Sequence, residues 1–191
     1  MNQEFFFEAI DAIHQTSPGL KAYLNVALKF VELKKNNALP DHFHDDFPIA
    51  FIEDGNLRTI IASKLNPEKD FIQFHFKGNI LPRFYQQDNV NFMIKTFSID
   101  SSKLITIPKK HLYSLHQHFP EFHLLVDFIR EIPLNGMLHT SFDLANLDLA
   151  ARLEKLSARK PDIFQIASIN EIAKSLGTHP NSLSAIRNKK R

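Results

Sequence analysis

Cysteine is absent from these 191 residues. That excludes disulfides, a cysteine-ligated iron–sulfur cluster and thiol redox sensing, and it agrees with a cytoplasmic location. No apolar run is long enough for a membrane span, so no membrane partner is expected. The N-terminus lacks the basic-then-apolar layout of a secretion signal. There is little excess charge: 23 Lys and Arg against 21 Asp and Glu leave a net charge of +2, too small for a global field that would draw in nucleic acid. Internal repeats and low-complexity segments are missing. So are a Walker-type glycine loop, a Ser-His-Asp arrangement and a convincing carboxylate pair, which leaves no catalytic residue to name. An enzyme is not expected.

What is present is enough apolar material for a core, 43% of the chain with 18 Phe. The opening "NQEFFFEAIDAIHQ" has the rhythm of a short amphipathic helix. A helix and a lead-in strand follow to about Pro40. From about Phe43 to Pro108 the apolar runs are short and strand-like: "FPIAFIEDG", "LRTIIASKL", "DFIQFHF", "VNFMIKTFSI" and "KLITIP". Asp54-Gly55, Asn66-Pro67, Lys77-Gly78 and Asp100-Ser101 punctuate them. Repeated short strands between turns predict a sandwich or barrel. Helical text takes over from Lys109.

The last stretch, "INEIAKSLGTHPNSLSAIRNKKR", carries the strongest local signal. Ile169, Ile172, Ala173 and Leu176 fall on one helical face. Gly177 suits a helix end that needs positive φ. Pro180 suits the first position of a second helix, expected over about Pro180 to Asn188. Leu183 and Ile186 would pin that helix inward. His179, Pro180, Asn181, Ser182, Ser184 and Ala185 lie at its start or on its outer side. Arg187, Asn188, Lys189, Lys190 and Arg191 close it with four positive charges and no acid. A small residue at the crossing (Ala173), a glycine in the turn and two apolar pins are the requirements of a DNA-binding helix-turn-helix. The bland alternative is an ordinary pair of helices with a basic end. His179 is expected as the cap-like entry of that helix, although His is not a favoured cap, with a phosphate or a base edge as the alternative partner of its ring.

With these motifs the chain resembles the Crp/Fnr family of bacterial transcriptional regulators. "FIEDGNLR" (Phe51 to Arg58) resembles the family's FI-x-x-G-x-x-R hairpin, and "FIQFHFKGN" the strand leading to its F-x-x-G-D/E. "ITIPKKHLYSLHQHFPEF" resembles the strand and short helix before its long helix. "IAKSLGTHPNSLSAIR" is similar to IA-x-x-L-G-x-x-x-x-x-L-S-x-I-R. The likeness spans most of the chain after about residue 16. It implies an α+β protein with a double-stranded β-helix, the jelly roll of cyclic-nucleotide-binding domains, as sensor. A long connecting helix and a C-terminal helix-turn-helix follow. The expected divisions are 1–120 for the effector-sensing barrel with its N-terminal helices, 121–148 for the connecting and dimerisation helix, and 149–191 for the DNA-binding part. Double-stranded DNA and a second copy of the chain are the implied partners. A small-molecule effector and RNA polymerase stay open as further ones.

The sequence departs from that pattern in the pocket. Family members that bind cyclic nucleotides have Glu after the glycine, for the ribose, and an Arg about ten residues on, for the phosphate. Gly78 is followed here by Asn79, and the Arg place falls on Asn89, followed by Val90. Arg83 is near but early, after Pro82, and Tyr85 is close to it. Asn79, Arg83, Tyr85 and Asn89 are therefore the candidate pocket residues. An anionic phosphate without a guanidinium would be poorly compensated, so cyclic AMP is not expected, no cofactor is implied and the effector is unknown.

Two features bear on the helices. Pro133 and Gly136 interrupt the connecting helix expected from about Glu121 to Asn146, so it either kinks near Ile132 or starts its long run after Pro133. Leu134, Met137, Leu138, Phe142, Ala145 and Leu149 form an apolar stripe that would face a partner helix or, in the blander reading, pack on the chain's own β-sheet. Since the sequence ends after the recognition helix, no wing hairpin is expected. That helix presents Asn181 and Ala185 where guanine-reading relatives often place Arg and Glu. Asn pairs with adenine and Ala meets a thymine methyl, which points to an A·T-leaning site.

Two alternatives come from other classes. "DHFHDD" places His42 and His44 at a spacing that sets two imidazoles on one face of a strand, as in metal-dependent cupin enzymes. Glu53 comes too late and no fitting later His follows, though His75 is conceivable, and no metal site is assigned. A degenerate helix-turn-helix docking on an acidic protein is the other.

Overall fold

The computed structural model describes residues 3–66, 69–84 and 91–189, with only the backbone of Lys189. Two antiparallel three-stranded sheets face each other, in the orders β1-β6-β2 and β4-β3-β5. The strands are β1 (Lys29–Leu33), β2 (Ile49–Asp54), β3 (Asn56–Ser63), β4 (Phe71–Phe76), β5 (Phe92–Ser98) and β6 (Ser102–Ile107). β2 to β6 fall where the punctuated apolar runs predict them, and β1 falls where the lead-in strand is expected.

Each strand divides its side chains between two faces, because successive Cβ atoms alternate. In β2, Ile49 and Phe51 point out to one core while Ala50 and Ile52 point into the space between the sheets. In β4, Ile72, Phe74 and Phe76 point out to another core. The run "IAFI" is therefore continuous in apolarity for a physical reason: both of its faces are covered. The cover on the first sheet is α1 (Gln3–Ile13), α2 (Pro18–Ala27), α4 (Lys109–His118) and the start of α5 (Pro120–Asn146). The cover on the second is α6 (Leu149–Arg159), α7 (Ile163–Ile166), α8 (Ile169–Ser175) and α9 (Pro180–Lys189). The layers thus run helix, sheet, sheet, helix.

Gly55 makes the β2–β3 turn at φ +86°, and a Cβ there would lie 2.7 Å from the Ser102 Cα, so the turn needs glycine for both conformation and space.

The helix α5 passes through Pro133 without a break. The alternative of a long run that starts only after Pro133 is therefore corrected. Proline cannot donate to the Ile129 carbonyl, at a cost of about 3 kcal/mol. Burial of Phe122, Leu125, Val126 and Ile129 in the preceding turns anchors the helix against that loss. The segment "DHFHDD" is also corrected. Phe43–Asp46 is a helical turn, α3, with His42 before it. Two residues apart on a helix are roughly 200° apart, so the two rings do not share a face.

His75 lies between the sheets, sealed from solvent, with Nε2 2.8 Å from Thr59 Oγ1, which is 2.9 Å from Thr96 Oγ1. Burial first, and the charge of Arg159 second, hold its pKa down to about 3. An unfolded His titrates near 6.5, so between these values the unfolded chain binds the extra proton and stability falls as pH falls. The loss is expected to be about 1.4 kcal/mol per pH unit below 6.5, or roughly 2–3 kcal/mol at pH 4.5. Urea midpoints for His75→Gln should show a shallower acid dependence than those of the parent chain. Identical slopes would refute this assignment.

Candidate nucleic-acid interface

The C-terminal helices are built by strong local rules. Asp148 caps α6, its carboxylate accepting from Ala151 N at 2.8 Å. Ser168 caps α8 in a reciprocal box with Glu171: Ser168 Oγ accepts from Glu171 N, and Glu171 Oε2 accepts from Ser168 N at 2.8 Å. At the other end, Thr178 N donates to Ala173 O at 2.9 Å and Gly177 N to Lys174 O at 3.3 Å. That pair of bonds is the Schellman closure. Gly177 sits at φ +61°, and a Cβ there would lie 2.8 Å from Leu144 Cδ2.

The helix α9 then crosses α8. Ile172, Ala173, Leu176 and Leu183 are buried together, with Ile186 packed against them. Ala173 has no exposed surface, so it lets the helices approach where a larger residue would hold them apart. Ile169, expected on this inward face, is instead exposed: it is the first residue of α8, outside the crossing.

Asn181, Ser182, Ala185 and Asn188 are exposed along α9, with His179 exposed at its entry, while Pro180 and Ser184 are half-buried. The Ser184 hydroxyl donates back to Pro180 O at 2.9 Å. His179 takes the cap-like place expected of it, and the alternative, a ring turned to a phosphate or a base edge, is corrected. Its Nδ1 accepts from Asn181 N at 3.2 Å, so the ring caps the helix. A proline at the first position leaves the next N–H as the donor in need of a partner, which the imidazole supplies. Arg187 lies over the Phe164 ring, 4.5 Å from its centroid, rather than extended into solvent. Lys190 and Arg191 lie outside the described residues.

What sequence reasoning missed is how these helices are held to the strands. Arg58 of β3 forms an ion pair with Glu171, the capping residue of α8. Lys174 of α8 pairs with Asp70 at 3.0 Å. Both bridges flank the apolar contact of α8 with β4. Arg58 lies in the hairpin motif noted above, yet no local rule reveals a partner 113 residues further on.

Of the pocket residues, Asn79 is consumed by its own turn, its Oδ1 accepting from Phe76 N at 2.9 Å. Arg83 pairs with Asp45 at 3.2 Å beside a cleft of about 370 Å³ that includes His44 and Lys95. The structure therefore does not bring Asn79 and Arg83 together in that cleft. Tyr85 and Asn89 lie outside the described residues. Burial pushes the His44 pKa down, and its Nδ1 has no hydrogen-bond partner among the described residues.

On α5, Leu124, Leu134, Leu138 and Phe142 are more than half exposed, and Phe128 and Ile132 a little less than half. Ala145 is exposed and Met137 half-buried. Leu149 is corrected: α5 ends at Asn146, and Leu149 begins α6 and packs on the core of the C-terminal helices. The stripe lies on the face of α5 opposite to Phe122, Val126 and Ile129.

This order of antiparallel strands, long helix and C-terminal helices is the fold of Crp/Fnr-type regulators of known structure. No family model matches the chain, and no match is found among curated proteins. Among solved structures, a protein from Eubacterium rectale assigned to the Crp/Fnr transcriptional regulators superposes with a TM-score of 0.65 at 13% identity, over 91% of this chain and 82% of that one. A cyclic nucleotide-binding domain containing protein from Listeria monocytogenes gives 0.62 at 14%, over 90% and 88%. The c-di-GMP responsive global regulator CLP of Xanthomonas campestris gives 0.59 at 13%, over 91% of each chain. Among the described residues, no helix is long and apolar enough to cross a membrane.

Proposed function

We propose that this chain is a DNA-binding transcriptional regulator of the Crp/Fnr type, acting as a homodimer and carrying no catalytic activity. The observation that carries the reading is α9. Its inner residue Leu183 is buried, its entry is capped, and its outer residues Asn181, Ser182, Ala185 and Asn188 are open, short and uncharged. Such a surface can enter a major groove and approach base edges closely. The fold shared with regulators supports the same reading.

In the proposed complex, Asn181, Ser182 and Ala185 meet bases, with His179 at the helix entry near the backbone. Lys189, Lys190 and Arg191 meet phosphates, and Arg187 supports them from its seat on Phe164. Dimerisation through Leu134, Leu138 and Phe142 would set two such helices one DNA turn apart, about 34 Å. The pocket carries no argument for a cyclic nucleotide, because Arg83, the one guanidinium beside it among the described residues, already faces a carboxylate.

Fluorescence anisotropy on a selected duplex and on random duplex tests the reading. Asn181→Ala is expected to cost about 1–3 kcal/mol on the selected site and little on random DNA. Lys189→Ala should weaken both alike and lower the salt slope by about one unit. Equal losses for both variants on both duplexes would reduce the segment to a generic basic tail, the behaviour expected of a protein-docking module.

A further inference from the structure

The inward stripe of α5 changes character halfway along. Phe122, Val126 and Ile129 are buried, and the same spacing then brings Pro133, Gly136, Thr140 and Asp143. The first half closes a core. The second half cannot, because its side chains are small or polar. A cleft of about 510 Å³ opens there between α5, the outer face of β4 and α6.

Its lining combines an aromatic floor with positive charge. Phe74 and Phe76 of β4 stack with centroids 6.2 Å apart. Arg159 of α6 lies 6.0 Å from the Phe76 centroid. Lys155 is already paired with Asp143 at 2.6 Å. Arg152 and Arg159 form no ion pair with a carboxylate among the described residues, and Arg152 Nε is buried without a hydrogen-bond partner. Two guanidiniums without a carboxylate partner among the described residues thus border one cleft with an aromatic floor. A guanidinium matches a carboxylate in planar, bidentate geometry. An aromatic floor favours a flat apolar body, and the volume lies within the range of small-molecule sites.

We propose that this cleft binds a small organic anion with a planar aromatic body, its ring on Phe74 and Phe76 and its carboxylate on Arg152 and Arg159. The site lies outside the space between the sheets and is separate from the cleft beside Arg83. An occupant touches β4, α5 and α6 at once, so it binds the docked arrangement of the C-terminal helices better than an undocked one and stabilises it. This consequence bears on regulation only through the DNA-binding reading, and binding itself does not depend on that reading.

The probe is 2-naphthoate, titrated into the full chain by its own fluorescence, with no tryptophan to interfere. Neutral 2-naphthamide is the comparison. Saturable one-to-one binding is expected, with the amide at least about 10-fold weaker, since it has neither the negative charge nor the second acceptor oxygen of the bidentate ion pair. Arg152→Met and Arg159→Gln should each weaken naphthoate by about 10-fold and leave the amide unchanged. Gly136→Leu guards against simple misfolding. A Cβ at Gly136 meets nothing within 4 Å, and the longer side chain would grow into the cleft. Leucine is also the better helix former. This variant should lose naphthoate binding while melting no lower than the parent. Absence of saturable binding at millimolar naphthoate would overturn the proposal. Equal affinity for acid and amide, or binding indifferent to the arginine variants or to Gly136→Leu, would do the same.

Discussion

Leu183→Ala is expected to destabilise the C-terminal helices by about 2–5 kcal/mol, the range for truncating a fully buried leucine. Leu183 is 1% exposed and is the main side chain of α9 held in the core with Ile172, Ala173 and Leu176. Few other contacts hold α9. Ile186 is only partly buried, and Arg187 contributes a stack on Phe164. The cavity left behind has little means of collapse, because Ala173 in the same cluster has only a methyl group and cannot reach into it. Chemical denaturation should show the loss, and duplex binding should fall with it. The substitution Asn181→Ala, on the exposed face of the same helix, should leave the unfolding midpoint where it was. A Leu183→Ala chain within about 1 kcal/mol of the parent would mean that α9 is not pinned in this way.

Replacing Leu138 and Phe142 together by Glu is expected to abolish self-association. Both side chains are 61% exposed on α5, although they are large and apolar. Isolated exposed apolar residues are ordinary, but six on one helical face form a surface that calls for a partner. A like-charged pair placed on a two-fold axis repels its own copy as well as removing the apolar contact. Light scattering should give twice the chain mass of 22.0 kDa for the parent and one chain mass for the variant. Loss of the second half-site contact should weaken binding to a two-fold operator by about 10²–10⁴-fold, the scale of avidity lost when linked sites are separated. Binding to random duplex should change much less. A parent chain that remains monomeric at tens of micromolar, with DNA present, would remove the dimer from the proposal.

Much of the architecture is legible in the amino-acid order because its signals are local. The strands are bounded by Asp54-Gly55, Lys77-Gly78 and Asp100-Ser101, and alternate or run apolar according to which faces are covered. The turn at Gly177 and the spacing of Ile172, Ala173 and Leu176 are rules of a single helix end, so they hold whatever the rest of the chain does. Local rules also fail in identifiable places. His42 and His44 read as strand, but a short turn of helix fits the loop between β1 and β2. Leu149 continues the apolar rhythm of α5, yet Asp148 ends that rhythm by capping a new helix. The ring of His179 caps α9 because Pro180 removes the usual first donor and leaves Asn181 N unpaired.

The sequence by itself therefore determined the kinds of elements, their order and the outer residues of α9, since these depend on backbone preference and on which side chains avoid water within one helix or strand. Tertiary structure alone decided what those elements touch. Ile72, Phe74 and Phe76 form an outward stripe that any apolar helix face could cover. Arg58–Glu171 and Lys174–Asp70 select α8 as that cover, through residues about 100 positions apart. The same holds for the cleft above Phe74 and Phe76. Gly136 and Thr140 read in the sequence only as weak helix formers, and they leave a space only because α6 and β4 are brought opposite them. Charge pairing and packing between distant segments carry no period in the sequence, so they become visible only when the chain has closed on itself.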